Sequence, residues 1–167
     1  MKNVIAINGA STKDGRTSAL LLELGIPICH LADGVERARD AVLAADMVVF
    51  GTPTRWFNVS ASMKDLIDQL PEAPDYPCHG KSAYFLAVCD EDGAQQAINQ
   101  MMAPLNHMGF RIPPYASYIY NTNMADKSEG QWQLRGMADL RRRLNSSRRD
   151  FSRTDQLHRT SGGQIRV

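Results

Sequence analysis

Three short apolar runs, Val4 to Ile7, Met47 to Phe50 and Ala83 to Cys89, each open into a polar loop followed by a helical stripe. Strands that are apolar at nearly every position must be covered on both faces, as in a parallel sheet whose strands are joined by crossover helices. The stripes between them keep helical spacing: Val35, Ala38, Val42 and Ala45; Met63, Leu66, Ile67 and Leu70; and Ala94, Ala97, Ile98, Met101, Leu105 and Met108. Gly109 is the natural stop of the last of these helices. Two weaker strand patterns, Ile26 to Leu31 and Arg111 to Tyr120, bring the number of strands to five, with Pro27, Pro113 and Pro114 at their openings. The stretch Ser18 to Leu24 reads as a short helix, and a final helix turns Met137, Leu140 and Leu144 inward. Strand alternating with helix specifies an α/β sheet wound with right-handed crossovers and covered by helices on both faces.

The chain has 167 residues, 43% of them hydrophobic, enough for one domain with a substantial core. Residues 1–145 carry the alternating pattern, whereas 146–167 are polar and basic and read as a disordered tail. Charge divides the same way: ten Lys and Arg against fifteen Asp and Glu up to Leu134, then nine against three. The basic end would suit a neighbouring subunit or an anion, but its arginines are not interleaved with aromatics as in a nucleic-acid module. No apolar run reaches membrane-spanning length, and Met1 leads into a strand pattern instead of a signal peptide. Cys29, Cys78 and Cys89 are sparse and lack metal-ligand spacing, as expected of reduced thiols in a cytoplasmic protein. His30, His79, His107 and His158 have no partner pattern, so neither a catalytic side chain nor a metal site is expected.

In wound parallel sheets ligands bind beyond the carboxyl ends of the strands. Three loops occupy that edge: Gly9 to Thr17, Thr52 to Ser60, and Asp90 to Gln95. The first combines two glycines with the hydroxyls of Ser11, Thr12, Thr17 and Ser18 and the charges of Lys13 and Arg16, at a helix amino terminus. That chemistry suits a phosphomonoester. It has neither the Gly-Lys-Ser/Thr ending of a Walker loop nor the three spaced glycines of a dinucleotide turn. The second loop places Trp56 and Phe57 where small polar turn residues are usual. There they could flank a planar ring whose polar edge meets amides near Thr54 to Asn58. A phosphate loop beside a ring loop points to flavin mononucleotide (FMN).

The stretch Ala45 to Pro53, continued by Met63 to Asp68, resembles the NADPH-dependent FMN reductase family, within the flavodoxin-like fold. Gly9 to Ser18 is similar to the family's phosphate turn in loosened form, with Ala10 and Thr12 in place of its serine and arginine. Gly80 to Ala83 and the Gly93 helix resemble its fourth unit, and the likeness spans about residues 2 to 145. The resemblance implies a five-stranded flavodoxin-like sheet, non-covalent FMN, NADPH or NADH as donor, a small-molecule electron acceptor, and a homodimer or homotetramer. Ser11, Lys13, Arg16, Thr17 and Ser18 are its phosphate-side candidates. Pro53, Thr54, Arg55, Trp56, Phe57 and Asn58 are its ring and ribityl candidates, with Asp90 and Gly93 from the third loop. The expected activity is an NAD(P)H oxidoreductase passing electrons through flavin to free flavin, a quinone or a similar acceptor. An electron carrier without nicotinamide turnover, or a scaffold that has lost its cofactor, are the alternatives.

Overall fold

A computed structural model describes residues 2–70, 77–125 and 136–146. The polar tail from 147 onward and the Pro71 and Pro74 part of the proline-rich link lie outside the described residues. The elements run β1 (Val4–Asn8), α1 (Arg16–Leu22), β2 (Ile28–His30), α2 (Val35–Ala44), β3 (Met47–Pro53), α3 (Ala61–Gln69), β4 (Ser82–Cys89), α4 (Ala94–His107), β5 (Ser117–Asn121) and a short α5 (Thr122–Ala125). A further helix, α6, covers 136–146. All strand pairings are parallel, in the order β2-β1-β3-β4-β5. The chain winds outward from β1 to β2 and then crosses back to β3, so the switch in strand order falls between β1 and β3. This is the flavodoxin-like architecture.

The register explains the unbroken apolar runs. Ile7 sits beside Phe50, and Phe50 beside Phe85. The Phe50 and Phe85 rings stack at 6.2 Å, while Phe110 meets Phe50 edge-on at 5.8 Å, the geometries aromatic quadrupoles favour. Met63, Leu66 and Ile67 of α3 and Ala97, Ile98, Met101 and Leu105 of α4 are buried, as their spacing requires. Met137, Leu140 and Leu144 of α6 are buried as well.

The fifth strand is shorter than the sequence pattern predicts. Arg111 forms only an isolated bridge to Ser82, and the strand begins at Ser117. Pro113 and Pro114 have no N–H for a ladder, and Tyr115 adopts a left-handed φ of 58°, which turns the chain before β5. β3, by contrast, runs three residues past Phe50, to Pro53, and so carries the second loop farther over the sheet edge. Among the described residues no helix is long and apolar enough to cross a membrane.

Candidate flavin site

β1 ends on a buried polar residue that organises the first loop. The Asn8 amide donates to Ser18 Oγ at 2.6 Å and lies 2.9 Å from His30 Nδ1, while its Oδ1 accepts from the Ala10 N–H at 3.0 Å. Ser18 is therefore buried beneath the loop, held by Asn8, and does not face the cleft. His30 is not isolated either, since β2 brings it to Asn8. Gly9 donates its N–H to the Gly51 carbonyl and accepts from Ser60 Oγ at 2.6 Å. A Cβ on Gly9 would come 3.0 Å from that carbonyl and from Met63 Cε, so the two loops approach as closely as they do because residue 9 is glycine. Ser60 also caps α3 by accepting from the Met63 N–H.

Between the loops lies a cleft of about 400 Å³, within the usual range for small-molecule sites. One wall is Ala10, Ser11, Thr12, Gly15, Arg16 and Thr17. The opposite wall is Pro53, Thr54 and Arg55, with Val88, Cys89 and Asp90 at the end of β4 and Thr122 beyond β5. Of the residues predicted from sequence, Ser11, Arg16, Thr17, Pro53, Thr54, Arg55 and Asp90 are brought together here. Lys13 is not: its ammonium is ion-paired with the Asp33 carboxylate, and that hydrogen bond holds the Asp33 carboxyl below its ordinary range. The positive charge of this wall falls to Arg16. Its guanidinium lies 5.8 Å from the centroid of the Tyr120 ring and 3.4 Å from its hydroxyl, with no carboxylate partner among the described residues.

The second loop is a two-residue hairpin. Arg55 and Asn58 exchange backbone hydrogen bonds at 2.8 and 3.0 Å, leaving Trp56 and Phe57 as the turn. Both have positive φ, 49° and 65°, the conformation such turns demand and normally give to Asn-Gly. Trp56 is 92% exposed and Phe57 49%, so neither caps the core. The turn is pinned from outside. The Asn58 amide donates to the Trp56 carbonyl, and Gln100 of α4 donates to Asn58 Oδ1 at 2.6 Å and accepts from the Val59 N–H at 3.2 Å. Gly93 lies directly beneath, where a Cβ would come 2.8 Å from Phe57 Cα. Trp56, Phe57, Asn58 and Gly93 thus build the rim beside Arg55 and are not part of the cleft lining.

Thr54 Oγ1 is buried and without a hydrogen-bond partner among the described residues, on a residue that lines the cleft. An orphaned hydroxyl there fits a ligand with a polar edge. Asp90 accepts from Thr122 Oγ1 at 2.6 Å. Burial pushes the Cys89 thiol up, which suppresses the thiolate and with it nucleophilic chemistry. The residues fit an anionic, partly aromatic nucleotide: cations, hydroxyls and an unsatisfied donor surround one cleft at the switch in strand order. Sequence reading passed over Asn8, Val88, Thr122 and Gln100 as site builders, while Thr12 and Gly15, read there as part of the first loop, do line the cleft. Asn8 had a signal, a polar residue closing an apolar run; Gln100 had none, because its role depends on α4 passing under the second loop.

A wound parallel sheet with this cleft at its switch in strand order defines a flavodoxin-like α/β protein. The model of the NADPH-dependent FMN reductase family matches residues 22–123, and the chain belongs to that family, which places it among flavin-dependent NAD(P)H oxidoreductases. The first loop precedes the matched stretch. In three dimensions the chain is similar to an NADH:FMN oxidoreductase, at 19% identity and a TM-score of 0.66, covering 84% of this chain and 89% of that one. It is also similar to an oxidoreductase from Corynebacterium diphtheriae, at 14% identity and a TM-score of 0.69, covering 84% and 93%. An azoreductase from Bacillus anthracis aligns at 13% identity and a TM-score of 0.64, covering 87% and 100%. Likenesses at these identities bear on the fold. No curated protein matches in sequence.

Proposed function

We propose that the cleft binds FMN and that the protein is an NAD(P)H oxidoreductase delivering electrons to free flavin, a quinone or a similar small acceptor. The observation that carries this reading is the convergence, in a chain of this family, of Arg16 and Arg55, neither with a carboxylate partner among the described residues, and the orphaned Thr54 hydroxyl on one cleft. Bound there, FMN supplies the redox chemistry, taking up reducing equivalents from the nicotinamide and passing them on. The chain's part is to bind and orient. Ser11, Arg16 and Thr17 hold the phosphate; Pro53 and Thr54 face the ring; Arg55 places positive charge where negative charge accumulates on reduction. Trp56 and Phe57 shield the rim, with Asn58 and Gly93 fixing their turn. No side-chain nucleophile is required.

The unit that does this spans 1–145, and we read it as a homodimer or homotetramer, because the aromatic rim is uncovered in a single chain. Light scattering of the purified protein tests the assembly. The functional test is an absorption spectrum of the FMN-loaded protein, taken anaerobically before and after NADPH or NADH. Bleaching of the flavin band by either donor is the expected result. Bleaching by dithionite alone would make the protein an electron carrier, and failure to retain FMN at all would leave a scaffold without its cofactor.

A further inference from the structure

The Asn8 side chain ties the two ends of the first loop together. Its Oδ1 accepts from the Ala10 N–H at 3.0 Å, and its Nδ2 donates to Ser18 Oγ at 2.6 Å. Ala10 opens one wall of the cleft, and Ser18 follows Thr17, which closes it. Asn8 and Ser18 are both buried, so losing either bond leaves a polar group unsatisfied.

The backbone fixes which way this amide faces. A main-chain N–H only donates, so the Ala10 N–H requires the Asn8 oxygen and not its nitrogen. The amide nitrogen then has two hydrogens and two neighbours, Ser18 Oγ and, at 2.9 Å, His30 Nδ1. Nδ1 must therefore accept, which places the proton of a neutral His30 on Nε2. In an imidazolium both nitrogens carry N–H, and Nδ1 then meets the Asn8 amide donor to donor. Turning the amide over brings no relief, because its nitrogen would then face the Ala10 N–H. Protonation of His30 costs Asn8 a bond in either orientation.

His30 itself does not line the cleft; it is half-buried, and its hydrogen bond runs to Asn8. The charged groups about it are Asp33, in the turn after β2 and already paired with Lys13 of the first loop, and Arg37 of α2. β1 meets it with the Asn8 amide, behind which α1 presents the Ser18 hydroxyl. Cys29, its neighbour in β2, alternates to the other face of the sheet.

We propose that Asn8 and His30 are positioning residues for the first loop, which holds a phosphate in register only while His30 is neutral. The identity of the ligand rests on the FMN reading; the hydrogen-bond chain does not. Histidine changes charge between about pH 5 and pH 8, so the loop should loosen in mild acid.

The test is the dissociation constant of FMN for the full chain, by fluorescence quenching, from about pH 8 to about pH 5.5, in wild type and His30→Gln. The FMN phosphate takes up its second proton over the same range, a loss common to both proteins. Beyond it, wild type should weaken about five-fold more than His30→Gln, the worth of one hydrogen bond. At the alkaline end the two should agree within about two-fold, because glutamine is neutral and still offers an acceptor. Asn8→Asp puts an acceptor where the amide nitrogen is a donor, so an imidazolium gains a partner and the extra acid loss should vanish or reverse.

Equal acid losses in wild type and His30→Gln overturn the proposal. So does a smaller loss in wild type, because an imidazolium acting by charge alone attracts the phosphate. NMR of the isotope-labelled, ligand-free protein separates these outcomes from failure of the cleft reading. His30 should be the Nε2–H tautomer, and the Ala10 amide shift should follow acidification in wild type and stay still in His30→Gln. An Nδ1–H tautomer, or an Ala10 amide indifferent to His30, overturns the coupling whether or not FMN binds. A chain that takes up no FMN at any pH yet shows the coupled shifts sinks the cleft reading and establishes the coupling.

Discussion

The two walls of the cleft are built on opposite principles. The first loop, Gly9 to Thr17, has no residue at positive φ, displays short hydroxyl side chains, and rests on two buried polar residues, Asn8 and Ser60. The second holds two large aromatics in left-handed conformations, each of which costs on the order of 1–3 kcal/mol. It keeps them there through Gln100 and the space above Gly93. A relaxed polar loop suits an anion, which needs donors more than shape. A strained, pinned turn suits a flat ring, which needs a surface fixed in advance. One wall supplies charge, the other geometry.

That contrast can be broken from either side. The largest effect is expected on the charged wall: Arg16→Ala should weaken FMN about 10- to 100-fold, because a charge-assisted phosphate contact is lost. Adding Lys13→Ala should weaken it little further in calorimetry, since Lys13 is committed to Asp33; a large extra loss would return Lys13 to the phosphate site. Ser60→Ala removes both the α3 cap and the hydrogen bond to the Gly9 carbonyl that joins the walls. It should cost about 1–2 kcal/mol in urea unfolding, and no change would mean the walls stand independently.

On the aromatic wall the sign reverses. Replacing Trp56 and Phe57 together by Asn and Gly installs the residues the turn prefers, and should raise stability by about 1 kcal/mol. The same change should reduce the quenching of FMN fluorescence, and a loss of stability would show that the aromatics pack rather than wait for a ligand. Thr54→Val should weaken FMN about five-fold without destabilising the ligand-free protein, because it deletes an orphaned hydroxyl. The smallest effect concerns pH. Lys13 holds the Asp33 carboxyl low, so the pair adds stability above the ordinary carboxylate range and loses it as pH falls through the depressed value. Being solvent-exposed, it should add little. In Lys13→Ala an NMR titration should show Asp33 moving back up.

Most of the layer structure was legible because burial leaves a periodic trace. Val4 to Ile7, Met47 to Phe50 and Ala83 to Cys89 are apolar throughout, and each became a sheet strand. The α3 and α4 stripes were equally plain. Arg111 to Tyr120 misled because its apolar and β-branched content resembles a strand, whereas Pro113, Pro114 and the turn at Tyr115 break the ladder. In the cleft, Arg16 and Arg55 were legible as cations in ligand-facing loops. That Lys13 is already neutralised was not, since Asp33 lies in another βα unit and nothing local signals their meeting. Trp56 and Phe57 were legible as anomalies, but their left-handed turn could be recognised only once Arg55 and Asn58 were seen to pair.

The sequence by itself determined the alternation of elements, the covered sheet and the loops that share its carboxyl edge, because hydrophobic periodicity and turn chemistry act over a few residues. Tertiary structure alone decided which side chains remain free to meet a ligand. Gly9 with Ser60, Asn58 with Gln100 and Arg16 with Tyr120 are contacts across 51, 42 and 104 positions. Their energies depend on distances that only the packed sheet creates, and a one-dimensional pattern carries no record of them.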